Sequence, residues 1–263
     1  MTSIYTSGMC IFAAVGAGIS LPLAKGLDIG WKNSLASWFI LTIITMIIWL
    51  PQLKTESKKD VKNVNLIKNK SESIWKSSTA WWVTLFMGIQ SLLFYSLVAW
   101  LPTIVVSKGM TDNFAGNMAL AFQLTAIPAT LVIPVLCDKI RNQRSLVIVT
   151  CTLYLIGMIL FLIGQSHMII ILAILLMALG MGGSISLSIS FISLRSPNAS
   201  RASELSGMSQ SAGYLLAAVG PLLMGTIFDF MQSWTVPIMI FIGLIIILAF
   251  CGWRAGNDIV TEE

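Results

Sequence analysis

Residues 168–194 read MIIILAILLMALGMGGSISLSISFISL, a run without a single charged side chain. A helix needs about 20 apolar residues to cross the hydrocarbon core of a bilayer, and this run exceeds that length. The same reading extends outward in both directions. Further runs, free of charge except for Glu204 near the start of the seventh, predict spans at 2–24, 33–53, 79–106, 114–137, 145–164, 203–228 and 234–253, with 168–194 sixth in an order of eight. The whole chain agrees with its parts. Hydrophobic residues make up 56% and charged residues only 10%, so no soluble packing could hide that much apolar surface. The mean hydropathy of +0.86 says the same. The expected fold class is all-α, a polytopic membrane helix bundle.

A net charge of +5 invites a nucleic-acid reading, and the placement of the charges rejects it. With eight spans, alternate loops fall on opposite faces. One face holds Lys54, Lys58, Lys59, Lys62, Lys68, Lys70, Lys76, Lys139, Arg141, Arg144, Arg195, Arg201 and Arg254; the other holds only Lys25, Lys32 and Lys108. This asymmetry is the positive-inside pattern, which puts both termini in the cytoplasm and the lipid bilayer, not nucleic acid, as partner. The one long polar stretch, KTESKKDVKNVNLIKNKSESIWKSS at 54–78, reads as a charged cytoplasmic linker. The predicted organisation is two helices in 1–53, the linker 54–78, six helices in 79–254 and a cytoplasmic tail, 255–263. The first 24 residues lack a preceding cation and read as a span rather than a signal peptide.

Catalysis inside a membrane needs ionisable groups that meet, and none is positioned to do so. Glu204 is the deepest acid, and no span carries a carboxylate or cation near its middle. His167 is the only histidine, and Cys10, Cys137, Cys151 and Cys251 are scattered without a C-x-x-C, so no metal or other cofactor is expected. Neither H-E-x-x-H nor a G-x-x-x-x-G-K phosphate loop occurs. An enzyme and a self-sufficient ATP-driven pump are both excluded as readings. Proton relays also show as intramembrane acids or histidines, and the last six spans supply none.

The spans differ in what they carry. The third has Gln90, Ser91, Tyr95, Ser96 and Trp100. The fourth has Asn117, Gln123, Thr125, Pro128 and Pro134. The sixth is rich in glycine and serine, and the seventh has Ser206, Ser209, Gln210, Ser211 and Tyr214. Polar groups in hydrocarbon want protein or water partners, so these four spans are expected to face an interior or a cavity. The plain fifth and eighth spans can face lipid. On the seventh, Ser206, Gln210 and Tyr214 recur every four residues and form a stripe within about 80°. Gln210 is expected to bond to another helix, to cavity water or to a solute.

PVLCDKIRNQR, which closes the fourth span, resembles the loop after the eighth helix of major facilitator superfamily transporters, roughly G-x-x-x-D-R-x-G-R-R. Asp138 and Lys139 match the acid–base pair and Arg144 the trailing cation, while Pro134 and Arg141 replace the glycines. FMGIQSLLFYSLVAWLPTIV in the third span and SELSGMSQSAGYLLAAVGPLLMG in the seventh are similar to the branch that includes cyanate permeases and 2-nitroimidazole transporters. The resemblance implies that spans three to eight are a C-terminal six-helix bundle, and that SIYTSGMCIFAAVGAGISLPLA begins the last two helices of an N-terminal bundle. It further implies four helices upstream of Met1, as in a truncated or split member. Those helices, as a separate chain, are then a candidate partner.

Two functions follow. One is transport of a small-molecule solute, a small anion or a nitrogen-containing compound, by alternating access, without a cofactor. Gln90, Gln123, Ser206, Gln210 and Tyr214 are the candidate substrate-binding residues, and Asp138, Lys139 and Arg144 the candidate conformational-switch loop. The alternative is a non-transporting truncated protein or a helper subunit that pairs with another transporter. The topology is directly testable in cells. A single cysteine at position 62, in a background without the four native cysteines, should resist an impermeant thiol reagent added outside, while one at position 108 should react. Labelling of position 62 in intact cells would overturn the orientation.

Overall fold

A computed structural model of the chain describes Gly8, Ile11, Phe12, Val15 and Gly16, residues 30–56 and residues 73–257. Most of the span expected at 2–24, with Cys10, and also Lys25, residues 57–72 of the linker and the tail from 258 lie outside the described residues. Among the described residues there are seven helices long and apolar enough to cross a membrane, and no strand. They are α1 (Gly30–Glu56), α2 (Ser78–Ser107), α3 (Asp112–Lys139), α4 (Arg144–Ile163), α5 (His167–Leu194), α6 (Ala199–Met231) and α7 (Thr235–Ala255). Each matches one expected span, from the second to the eighth.

Most boundaries fall within a few residues of the expectation, and the exception has a cause. α6 begins at Ala199 rather than at 203, because Asn198 caps it: its Oδ1 accepts from the Arg201 backbone N–H at 2.9 Å. Arg201 then pairs with Glu204 at 2.9 Å, one turn along. A polar, charged first turn reads as loop on hydropathy alone, yet it is helical. Ser77, Thr111 and Ser166 cap α2, α3 and α5 in the same manner.

The chain divides into two compact units, Val15–Glu72 and Met1–Ala14 with Ser73–Glu263. In the first, α1 exposes large apolar side chains around its circumference, among them Phe39, Met46, Ile48 and Trp49. Such a helix suits lipid or other membrane helices.

In the second unit, short loops join α2 to α7, so successive helices run antiparallel. α5 packs between α3 and α4, α7 joins α2 to α4, and α6 lies chiefly along α2. Glycines set how closely α5 can be approached. A Cβ on Gly180 would stand 2.5 Å from the Tyr154 nitrogen, and one on Gly182 would stand 2.5 Å from the Ala126 oxygen. Close backbone approach of this kind is what small residues permit between membrane helices. Ser186 adds a hydrogen bond to the Thr130 carbonyl across the same contact, at 3.2 Å. The plain helices α4 and α7 are two-sided: each exposes aliphatic residues such as Val149 or Ile246, and each buries others, such as Tyr154 or Phe241, against neighbours. Apolar content by itself therefore does not separate a lipid face from a protein face.

Polar clasps hold both ends of the bundle. At one end the Lys108 ammonium, beyond the end of α2, donates to the Leu162 and Gly164 carbonyls at 3.3 and 3.1 Å. Burial there pushes its pKa below the ordinary lysine value. At the cation-rich end, Arg195 is buried at 2% exposure. Its Nε donates to the Ala255 carbonyl at 2.8 Å, its guanidinium donates to Gln143 Oε1, and it lies over the Phe191 ring. Gln143 Nε2 in turn donates to the Ile140 carbonyl at 2.6 Å. One arginine thereby ties the ends of α3, α5 and α7 to the start of α4. A charge-assisted hydrogen bond contributes about 1.5–3 kcal/mol, and Arg195→Met removes two donors while keeping apolar bulk. The variant should melt well below the parent in detergent, whereas Lys139→Met, at an exposed position, should melt near it. Equal melting of Arg195→Met and the parent would show that the clasp adds no stability.

Candidate functional site

Where α2 and α6 cross, glycine meets glycine. A Cβ on Gly88 would lie 3.2 Å from the Gly213 Cα, and one on Gly213 would lie 3.3 Å from the Gly88 Cα. The contact leaves little room for any side chain. Beside it, the Thr84 and Ser209 hydroxyls share a hydrogen bond at 3.1 Å, linking the two helices where both side chains are buried. This crossing carries Gln90 and Ser91 of α2 to the same side as Ser206 and Gln210 of α6.

A cleft of about 410 Å³ opens there, walled by α2, α5 and α6. Gln90, Ser206, Gln210 and Tyr214, four of the five expected binding residues, line it together with Ser91, Phe94, Tyr95, Ser188 and Ser193. None of its lining residues is an aspartate, glutamate, histidine, lysine or arginine. Ser91 Oγ donates to Gln90 Oε1 at 3.3 Å, which holds the buried amide. Gln210 Nε2 donates to Ser206 Oγ at 2.7 Å. The expected partners of Gln210 were another helix, water or a solute, and the observed one is its own helix, one turn back. Four-residue spacing stacks the two side chains and makes that bond possible. The Tyr95 and Tyr214 rings face each other edge to face, 6.3 Å between centroids, and Phe94 packs on Tyr95 at 5.1 Å.

Gln123 stands apart. It is buried on α3, outside the lining of this cleft, and its Oε1 has no hydrogen-bond partner among the described residues. Three of the four polar spans thus form the cleft, and α3 is the one that does not. α5 contributes more than its sequence announced. Residues two apart on a helix point about 200° apart, so a run of alternating serines divides between two sides. Ser186 reaches α3, while Ser188 lines the cleft. The alternation itself was the available signal.

Around the end of α3 lie the three candidate switch residues. Asp138 and Lys139 are exposed, and Asp138 makes no ion pair with Arg144. Arg144 instead donates through Nε to the Trp253 carbonyl at 3.2 Å and places its guanidinium 4.8 Å from the centre of the Trp253 ring. It binds α4 to α7. The cations buried at this end of the bundle include Arg195 and Arg201, which from sequence read as loop charges. Among the described residues no group of three or more His, Cys, Asp or Glu side chains could hold a metal ion.

The sequence matches the Major Facilitator Superfamily over residues 1–221 and 108–259. It is 45% identical to an uncharacterized transporter of Bacillus subtilis (strain 168), YycB, over 98% of this chain and 63% of that protein. It is 34% identical to the 2-nitroimidazole transporter of Escherichia coli (strain K12), over 98% of this chain and 64% of that protein. The cyanate transport protein CynX of the same strain is 21% identical over 82% of this chain and 56% of its own length. The chain thus spans a little under two thirds of the first two of these relatives. With the match running almost from end to end and the helices long and apolar enough to cross a bilayer, this multi-pass membrane protein belongs to the Major Facilitator Superfamily.

Proposed function

We propose that this chain forms one wall of a pathway that carries a small solute across the membrane by alternating access, with the cleft between α2, α5 and α6 as its contact with the solute. The supporting observation is convergence: four polar side chains from two helices meet beside a pair of tyrosine rings. Amides in hydrocarbon cost several kcal/mol without partners, and a cleft where water and solute alternate supplies them. Transport as such belongs to the whole protein, whose relatives are longer than this chain. The proposed setting is the plasma membrane, with the cation-rich end in the cytoplasm. No catalytic step is part of the proposal.

The chemistry of the wall favours one solute class. A full charge would find no counter-charge among the lining residues, whereas amides, hydroxyls and ring edges suit a small planar nitrogen heterocycle. That fits the 2-nitroimidazole transporter, at 34% identity, better than the cyanate transport protein, at 21%, whose solute is an anion. Gln123, away from the cleft, is not counted among its contacts. Asp138 and Lys139, both exposed, remain available to an opposing bundle as the switch loop.

Transport of 2-nitroimidazole by the whole transporter containing this chain tests the reading. Gln210→Leu should keep expression and thermal midpoint, because among the described residues Gln210 bonds within α6, and should weaken apparent affinity by about tenfold, the equivalent of 1.4 kcal/mol. Unchanged affinity would take Gln210 out of the site. Asp138→Asn should slow transport while leaving membrane insertion normal, and unchanged kinetics would return it to a plain loop position.

A further inference from the structure

The last turns of α7 carry a feature that the cleft does not use. Arg144 reaches α7 from the start of α4, with its Nε on the Trp253 carbonyl and its guanidinium over the Trp253 ring. Arg254, the next residue, turns toward α2 and lies 5.4 Å from the centre of the Trp82 ring, which itself meets Phe250 edge to face at 5.6 Å. The close fit of α4 and α7 depends on Gly256, where a Cβ would stand 3.2 Å from the Arg144 nitrogen. Two guanidinium groups are thus set on indole rings at the same end of the bundle. Arg254 makes no hydrogen bond among the described residues, and neither arginine has a carboxylate within 4 Å among them. Both therefore keep donors to spare. A cation over an indole face holds its plane in place without consuming those donors.

Below this pair, α7 presents an apolar track. Met239, Ile246 and Trp253 recur every seven residues, with Phe250 between the last two, and all four are exposed. Seven residues return a helix to nearly the same side, so the four form one stripe. From Met239 to Trp253 it runs about 21 Å, longer than the roughly 15 Å of one leaflet's share of the hydrocarbon core. Indole rings at its upper end are the side chains that settle at the headgroup level.

We propose that this is a binding site for one anionic phospholipid, with its phosphate between Arg144 and Arg254 and an acyl chain along Met239, Ile246 and Phe250. Charge complementarity selects the headgroup: guanidinium groups pair with phosphate oxygens, and an anionic lipid brings negative charge that a zwitterionic one balances internally. The stripe selects a lipid over a free anion, because a free anion has no use for it.

The full chain, purified in a nonionic detergent and offered equal amounts of phosphatidylglycerol and phosphatidylcholine, tests this by native mass spectrometry of the lipids retained. The parent should retain phosphatidylglycerol in clear preference. Arg254→Gln should reduce that preference roughly fivefold, the share of one arginine near an anionic headgroup. Arg144→Gln with Arg254→Gln should abolish it, and Lys139→Gln should leave it intact. Should the double variant fail to fold, Arg254→Gln alone decides, since that side chain makes no hydrogen bond among the described residues. Inorganic phosphate at millimolar concentration should not displace the lipid. Equal retention of the two lipids by the parent, an undiminished preference in Arg254→Gln, or displacement by inorganic phosphate would each overturn the proposal.

Discussion

Hydrocarbon offers no hydrogen bonds, and everything else in this protein is arranged around that fact. Each backbone N–H and C=O inside the bilayer needs a partner from the chain, and the helix supplies one locally. The same demand then falls on side chains. A glutamine or serine in a spanning helix must meet another polar group, the backbone or water. Serines and threonines of α3, α4 and α5 meet it cheaply by donating to carbonyls one turn back, as Thr150 does to Leu146 and Ser184 to Gly180. Gln90 and Gln210 bond instead to neighbouring serine side chains, and the cleft is where they are accommodated.

Packing between the helices rests on close approach, because lipid chains are as apolar as leucine and give no hydrophobic drive for association. Gly180, Gly182, Gly88 and Gly213 mark points of close approach. The first two pack α5 against α4 and α3 as the core of the bundle. The other two hold α6 against α2. α6 touches little else in the bundle and leaves much of its surface open, so the α2–α6 crossing is what positions the cleft.

At the cation-rich end, similar charges have different fates. Arg195 is buried and shared among four helix ends, Arg201 pairs within its own helix, Arg144 stacks on α7, and Lys139 stays in solvent. The difference lies in reach and planarity. A guanidinium can satisfy several acceptors while stacking on a ring, which allows burial that an ammonium tolerates poorly.

Much was legible without coordinates. The length and polarity of each run determined that α1 to α7 span a membrane and roughly where each begins and ends, because an unbroken apolar run of that length has no other solvent. The polar residues of α2, α3, α5 and α6 pointed to an interior or a cavity, because burying them in lipid is costly. Tertiary structure decided the rest. It separated Gln123 from the other candidates, paired Gln210 with Ser206, sent Ser186 and Ser188 to different neighbours, and buried Arg195 where several helix ends meet. Sequence fixes a side chain's angle around its own helix. Which neighbour occupies that angle depends on the depth and crossing of other helices, and those are set by contacts between residues far apart in the chain, such as Gly88 with Gly213.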